Sequence, residues 1–179
     1  MSVPRPDWML DLAREAEGGS PSQLLDQAIA IATESARRGH GPFGAIVADA
    51  GGAIVAAGHN RVIADRDSTM HAEIHAIRAA EHELASHDLG AGEPLTMYAS
   101  CEPCVMCFGA IYWSGLQRIA AAAPAEAAEA LGFEEGPVTA AMWATAREDK
   151  GLVRMEGVEP TRDPHQPFAV YREGNGEIY

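Results

Sequence analysis

His71, Glu73, Cys104 and Cys107 are the residues of this 179-residue chain whose types and spacing could do chemistry. An imidazole and two thiolates make three ligands for a tetrahedral Zn²⁺. Three protein ligands rather than four leave one position for water, the mark of a catalytic site. Glu73 is not a fourth ligand. Two residues past His71 on a helix it projects about 200° away, and the freedom of a first helical turn lets it bend back over the open position as a proton carrier. A competing reading adds Cys101 to give a closed, structural Cys₃His set. That leaves Glu73 and Pro103 without a role and crowds three ligands into a single turn. Cys101 is then a small, buried, inert thiol. His75 stands four residues after His71, but position 72 is Ala where a zinc-protease helix needs Glu, so His75, His82 and His87 are taken as residues outside the metal set.

Both motifs must sit at helix starts. The spacing predicts a helix over 71–87 and another over 103–114, the second reached from a short buried strand over 95–99. Ser20-Pro21-Ser22-Gln23 has the form of a capping box, opening a helix that stops near Gly39. Two apolar runs over 43–50 and 53–58, split by Gly51-Gly52, predict a hairpin, followed by a polar loop over 60–70. A strand over 118–123 and an Ala/Glu helix over 124–131 come next. Weaker signals predict a helix near 139–147, a strand near 152–156 and a last helix near 164–172. Helices alternating with strands predict a three-layer α/β/α sandwich on a mixed five-stranded sheet. Residues 1–19 carry Trp8, Met9, Leu12 and Ala16 at helical spacing without an apolar signal core. They read as an N-terminal extension to a single domain over 20–179.

Composition narrows the partners. Thirteen basic against 26 acidic residues give a formal charge of −13, which repels phosphate backbones and argues against nucleic acid. No apolar run approaches membrane-spanning length. Three cysteines, two already assigned as ligands, fit a reducing, cytoplasmic interior better than a disulfide scaffold.

The stretches Gly41-Pro42-Phe43-Gly44, Gly58-His59-Asn60, His71-Ala72-Glu73, Ser100 to Cys107, Gly109 to Trp113, Gly132-Phe133-Glu134-Glu135 and Glu177-Ile178-Tyr179 carry a resemblance to bacterial guanine deaminases of the cytidine deaminase-like superfamily. The His-x-Glu and Pro-Cys-x-x-Cys pieces belong to zinc deaminases at large. The Phe-Glu-Glu segment and the Tyr ending narrow the likeness, which covers about residues 22–179. The resemblance implies zinc on His71, Cys104 and Cys107, with Glu73 as proton shuttle and Glu135 as a second acid for the departing amine. It implies a base held by Asn60, Phe43, Ala72, Trp113 and Tyr179, and a homodimer with an exchanged C-terminal segment. Many relatives carry Asp at position 135; the extra methylene of Glu moves the carboxylate by about 1.5 Å. The same pattern occurs in deaminases of s-triazines such as ammeline, so the base itself stays open among guanine, ammeline, azaguanine and cytosine. A tRNA adenosine deaminase shares the zinc core but needs a basic surface.

Overall fold

The computed structural model describes residues 5–16 and 18–179, so residues 1–4 and 17 of the expected extension lie outside it. The first helix, α1, spans Asp7–Arg14, where Trp8, Met9 and Leu12 were read at helical spacing. The capping box at Ser20 forms. Ser20 Oγ accepts from Gln23 N, Gln23 Oε1 accepts from Ser20 N at 2.9 Å, and Pro21 opens α2 (Pro21–Arg37). The hairpin follows as β1 (Gly44–Ala48) and β2 (Ile54–His59), paired antiparallel. The loop over 60–70 holds a single unexpected turn of helix, α3 (Val62–Asp65), whose first amide donates to Asn60 Oδ1 at 3.2 Å. After it come α4 (Ala72–Glu83), β3 (Thr96–Cys101), α5 (Val105–Ser114), β4 (Arg118–Ala123) and α6 (Ala125–Glu129). The chain continues through α7 (Ala140–Lys150), β5 (Val153–Arg154) and α8 (Gln166–Glu173). The expected last strand is thus only two residues long, and α7 runs three residues further than its sequence pattern suggested.

The sheet order is β2-β1-β3-β4-β5, antiparallel across β2-β1-β3 and parallel across β3-β4-β5, which is the mixed five-stranded sheet expected. Alternation along β1 divides the core in two. Ala45 and Val47 point to a cluster with α4 residues Ala76, Ala79 and Ala80 and with Phe108 and Ile111 of α5. Ile46 and Ala48 point the other way, to Leu24, Leu25 and Ile31 of α2 and Met9 and Ala13 of α1. The described part of the extension therefore belongs to the same packed body: Met9 is fully buried, worth about 1.5–3 kcal/mol for a side chain of that size.

One close approach sets the height of α4 above the sheet. A Cβ on Gly58 would stand 2.3 Å from Ala72 O and 2.5 Å from Ala76 N, both backbone atoms. Only glycine lets the start of α4 lie directly on β2. On the parallel side, β3 ends at Cys101 and the chain turns through Glu102-Pro103 into α5, so that helix also begins at a strand's carboxyl end. Ligand crevices of open α/β sheets form at that edge.

Beside this edge His59 is buried, with its ring edge-on to Trp8 of α1 at 4.9 Å and near His40 and His75. Burial chiefly, and then His75, His40 and Arg61, push its pKa down to about 3. Above pH 6.5 the ring is neutral folded or unfolded and costs nothing. As pH falls below 6.5 the unfolded chain binds a proton that the folded chain refuses, so stability drops until about pH 3. The expected loss is on the order of 4 kcal/mol. Urea unfolding midpoints between pH 7 and pH 4, compared for wild type and His59→Gln, should show a steeper decline for wild type.

Candidate metal and catalytic site

His71 is the N-cap of α4 and Cys104 the N-cap of α5, so two helix N-termini converge on one point. Their backbone N–H groups and positive dipole ends favour thiolate there. Cys104 Sγ and Cys107 Sγ each lie 3.5 Å from His71 Nδ1, and the three ligand atoms all fall within 4.8 Å of one another. Tetrahedral zinc with Zn–S of 2.3 Å and Zn–N of 2.0–2.1 Å requires an N···S separation of about 3.5 Å. The donor set and its spacing fit the ion. Among the described residues no other group of His, Cys, Asp or Glu is so placed, and Cys101 and His75 stand outside the set. Cys101 is a buried thiol donating to Pro124 O, its pKa raised well above the usual value by burial. His75 is buried, with Nδ1 at the His59 backbone.

Their shared hydrogen bond drives the two thiols apart in acidity. A hydrogen bond from Cys107 chiefly, and then one from His71, lowers Cys104 to about 4. The same Cys104–Cys107 bond, together with burial, holds Cys107 well above its usual value. A divalent cation at their centre removes the conflict by neutralising both thiolates.

The pocket beside the ligands is lined by Glu73, Phe43, Phe133, Glu102, Glu135 and Tyr179, with Glu134 at its rim. Glu73 sits in the first turn of α4, buried, and burial raises its pKa. Glu135 is only 8% exposed. Burial chiefly, then the charges of Cys104 and Glu73, push it up to about 8, before any cation pulls it back. Phe43 and Phe133 meet edge to face at 5.1 Å, and Tyr179 packs on Phe133 at 5.2 Å. Asn60 is 1% exposed; its Oδ1 is used by Val62 N, while its Nδ2 is buried without a hydrogen-bond partner. The Tyr179 hydroxyl reaches the same spot, 2.0 Å from where a Cβ on Gly41 would stand. Tyr171 holds the last segment there, its hydroxyl donating to Glu177 O at 2.6 Å.

His71, Cys104, Cys107, Glu73, Glu135, Asn60, Phe43 and Tyr179 are thus brought together, and two expected residues are not. Trp113 is 76% exposed and lies against Tyr112 and Lys150 on the outer side of α5, so it does not wall this pocket. With Cys104 and Cys107 facing inward, position 113 points outward on the helix. Ala72 is buried in the core behind the ligands and does not line the pocket. The aromatic wall assigned to Trp113 is supplied by Phe133, which sequence reasoning left as part of a motif without a function. Glu102 was also missed: it is held by an ion pair with Arg154 and by Ala125 N at 3.2 Å. Its position between Cys101 and Pro103 was the available signal.

Residues 20–123 match the family model of the cytidine and deoxycytidylate deaminase zinc-binding region. The chain is 41% identical over 113 residues to the guanine deaminase of Bacillus subtilis, covering 63% of this chain and 70% of that one. It is 40% identical over 118 residues to the tRNA(Ile)-lysidine synthase of Deinococcus deserti, but spans only 22% of that protein's length. A structure of guanine deaminase from Nitrosomonas europaea superposes with a TM-score of 0.83 at 32% identity, covering 98% of this chain and 96% of that one.

Zinc uptake by the metal-free protein should release protons near neutral pH, from the Cys107 thiol and from His71, whose pKa is raised against its burial by the Cys104 hydrogen bond and Glu73, and affinity should fall as pH drops. Titration in weak buffer with a pH indicator measures the first; metal analysis of His71→Ala and Cys107→Ala should find no stoichiometric zinc.

Proposed function

The chain belongs to the zinc-dependent deaminases of the cytidine and deoxycytidylate deaminase family, and from that premise we propose that it hydrolyses guanine to xanthine and ammonia. The observation that carries the reading is the His71, Cys104 and Cys107 set beside a pocket walled by two phenylalanines and flanked by two buried carboxylates. A flat apolar ring with a polar edge fits such a space.

His71, Cys104 and Cys107 would hold the zinc, which would lower the pKa of a water from 15.7 to about 7 and so supply a nucleophile at neutral pH. Phe43 and Phe133 hold the ring, and Asn60 Nδ2 donates to an acceptor on its edge. Glu73 takes a proton from the attacking water and gives it to the ring nitrogen beside the attacked carbon. The oxygen stays on that carbon as the new carbonyl, and its remaining proton passes to the glutamates, restoring the acid. The C–N bond breaks with its electron pair passing to nitrogen, and Glu135 donates the proton that makes ammonia a leaving group. Tyr179 covers the pocket and excludes water.

Deaminases of ammeline, azaguanine or cytosine would use the same machinery, and a panel of free bases assayed for ammonia decides among them. A tRNA substrate is disfavoured by the charge of −13. We place the enzyme in the cytoplasm, in purine breakdown, with residues 20–179 as the catalytic domain and 1–19 as an extension whose helix α1 packs on it. None of the described helices is long and apolar enough to cross a membrane.

Glu73→Gln should keep one zinc per chain and lose nearly all turnover. Glu135→Gln should bind zinc and lower kcat by about 10²-fold, with Glu135→Asp falling between. Steady-state kinetics on guanine settle both roles; equal kcat in all Glu135 forms would leave Glu73 to move both protons.

In this structure the segment ending at Tyr179 reaches the pocket of its own chain. A homodimer with exchanged segments, as the resemblance implies, would make these same contacts across two chains. Deleting the last three residues should cut turnover more than thermal stability. Light scattering of wild type and truncation then separates the arrangements: an exchanged dimer loses mass with the segment, while closure within one chain leaves the mass per particle unaltered.

A further inference from the structure

Behind the two phenylalanines of the pocket stands a second row of aromatic side chains, both from α8. Phe168 lies edge to face against Phe43 at 5.9 Å. Tyr171, three residues on and so on the same face of the helix, lies against Phe133 at 5.9 Å. Both are buried in one cluster with Phe133, Cys101 and Ala128. Helix α8 then ends in a reversal. Gly176 N donates to Tyr171 O at 3.0 Å, Asn175 N donates to Arg172 O at 3.1 Å, and Asn175 takes the left-handed conformation at φ 52°. This is a Schellman ending, with Asn at the position glycine usually holds. It turns the chain back across the Tyr171 ring. A Cβ on Gly176 would stand 2.3 Å from the ring Cζ and 2.4 Å from both Cε atoms, so the Gly176 backbone lies directly on the ring. The Tyr171 hydroxyl donates to the next carbonyl, Glu177 O, at 2.6 Å. Two residues later Tyr179 packs on Phe133 at 5.2 Å and lines the pocket. One buried ring thus touches the pocket wall, the end of α8 and the tail that carries the cover.

We propose that Tyr171 is a positioning residue for the reaction: it fixes Phe133 and holds Tyr179 over the base, and does not itself line the pocket. The inference rests on the deaminase reading above, which gives the tail its task. Glu177, Ile178 and Tyr179 are all exposed and have little packing of their own, so the contacts with Tyr171 decide how long the tail stays down. Losing the hydroxyl bond shifts the balance of closed to open tail by about threefold or more, the ordinary scale for one such bond. Tyr171 and Glu177 are six residues apart, so their bond forms whether the segment covers its own pocket or that of a second chain.

The test uses two variants that break the contact from opposite sides. Tyr171→Phe keeps the ring and loses the hydroxyl; Gly176→Ala keeps the hydroxyl and forces the backbone off the ring. Carboxypeptidase A, which removes an aromatic C-terminal residue only when it is free, is applied to the zinc-loaded proteins without substrate. Both variants should release Tyr179 about threefold faster than wild type or more. Both should lower kcat at saturating guanine, because the loaded pocket is uncovered for more of the time. The double variant should have the kcat of the slower single one, since either change undoes the same contact. Phe168→Leu loosens the same cluster but leaves the hydroxyl bond, and should release Tyr179 at the wild-type rate. Wild-type release by Tyr171→Phe, or equally fast release by Phe168→Leu, overturns the hold on the tail and leaves the deaminase reading standing. Faster release with unchanged kcat overturns the positioning role. A wild type that consumes no guanine, whatever its release of Tyr179, overturns the deaminase reading and with it the task assigned to Tyr171.

Discussion

The backbone of Gly58 against the backbone of Ala72 is the contact on which the site depends. It fixes where α4 begins, and with that where His71 and Glu73 stand relative to the sheet. The matching constraint on the other side is the carboxyl end of β3, paired parallel to β4, which places Cys104 at the first residue before α5. Neither helix carries the chemistry alone. The N···S distances of 3.5 Å arise only because both starts are pinned to one sheet, α4 on β2 and α5 at the end of β3, with β1 between them.

Electrostatics in the pocket follow from that convergence. Two thiols, an imidazole and two carboxylates are gathered where little water reaches them, and without a cation they compete for few charges: one sulfur is pushed down, the other up, and both glutamates up. The site is therefore built around a charge that the polypeptide does not itself supply. That is the physical sense in which the donor set asks for a divalent ion.

Most of the architecture and the metal set were legible in the sequence, because they rest on local rules: a capping box at Ser20, alternation in β1, Gly and Pro punctuation, and ligand spacing within one helical turn. What the sequence did not reveal depends on direction in space. Trp113 lies within the motif that carried the resemblance, yet faces outward, since helical phase is set by the inward-facing cysteines. Phe133 and Glu102 face inward through loop paths that no periodicity encodes. Gly41 looked like half of a Gly-Pro turn. Its real constraint, the Tyr179 hydroxyl standing where a side chain would begin, joins segments 138 positions apart.

The ligand set also has a meaning for folding. Cys107 and His71 are 36 residues apart, and α4, a loop and all of β3 lie between them. An ion held at both ends closes that loop as a cross-link does. In an unfolded chain the entropy of such a closure is worth about 4 kcal/mol on the relation used for disulfides. The metal thus acts as a removable staple between the two halves of the sheet, tying the order in which they assemble to the supply of the ion.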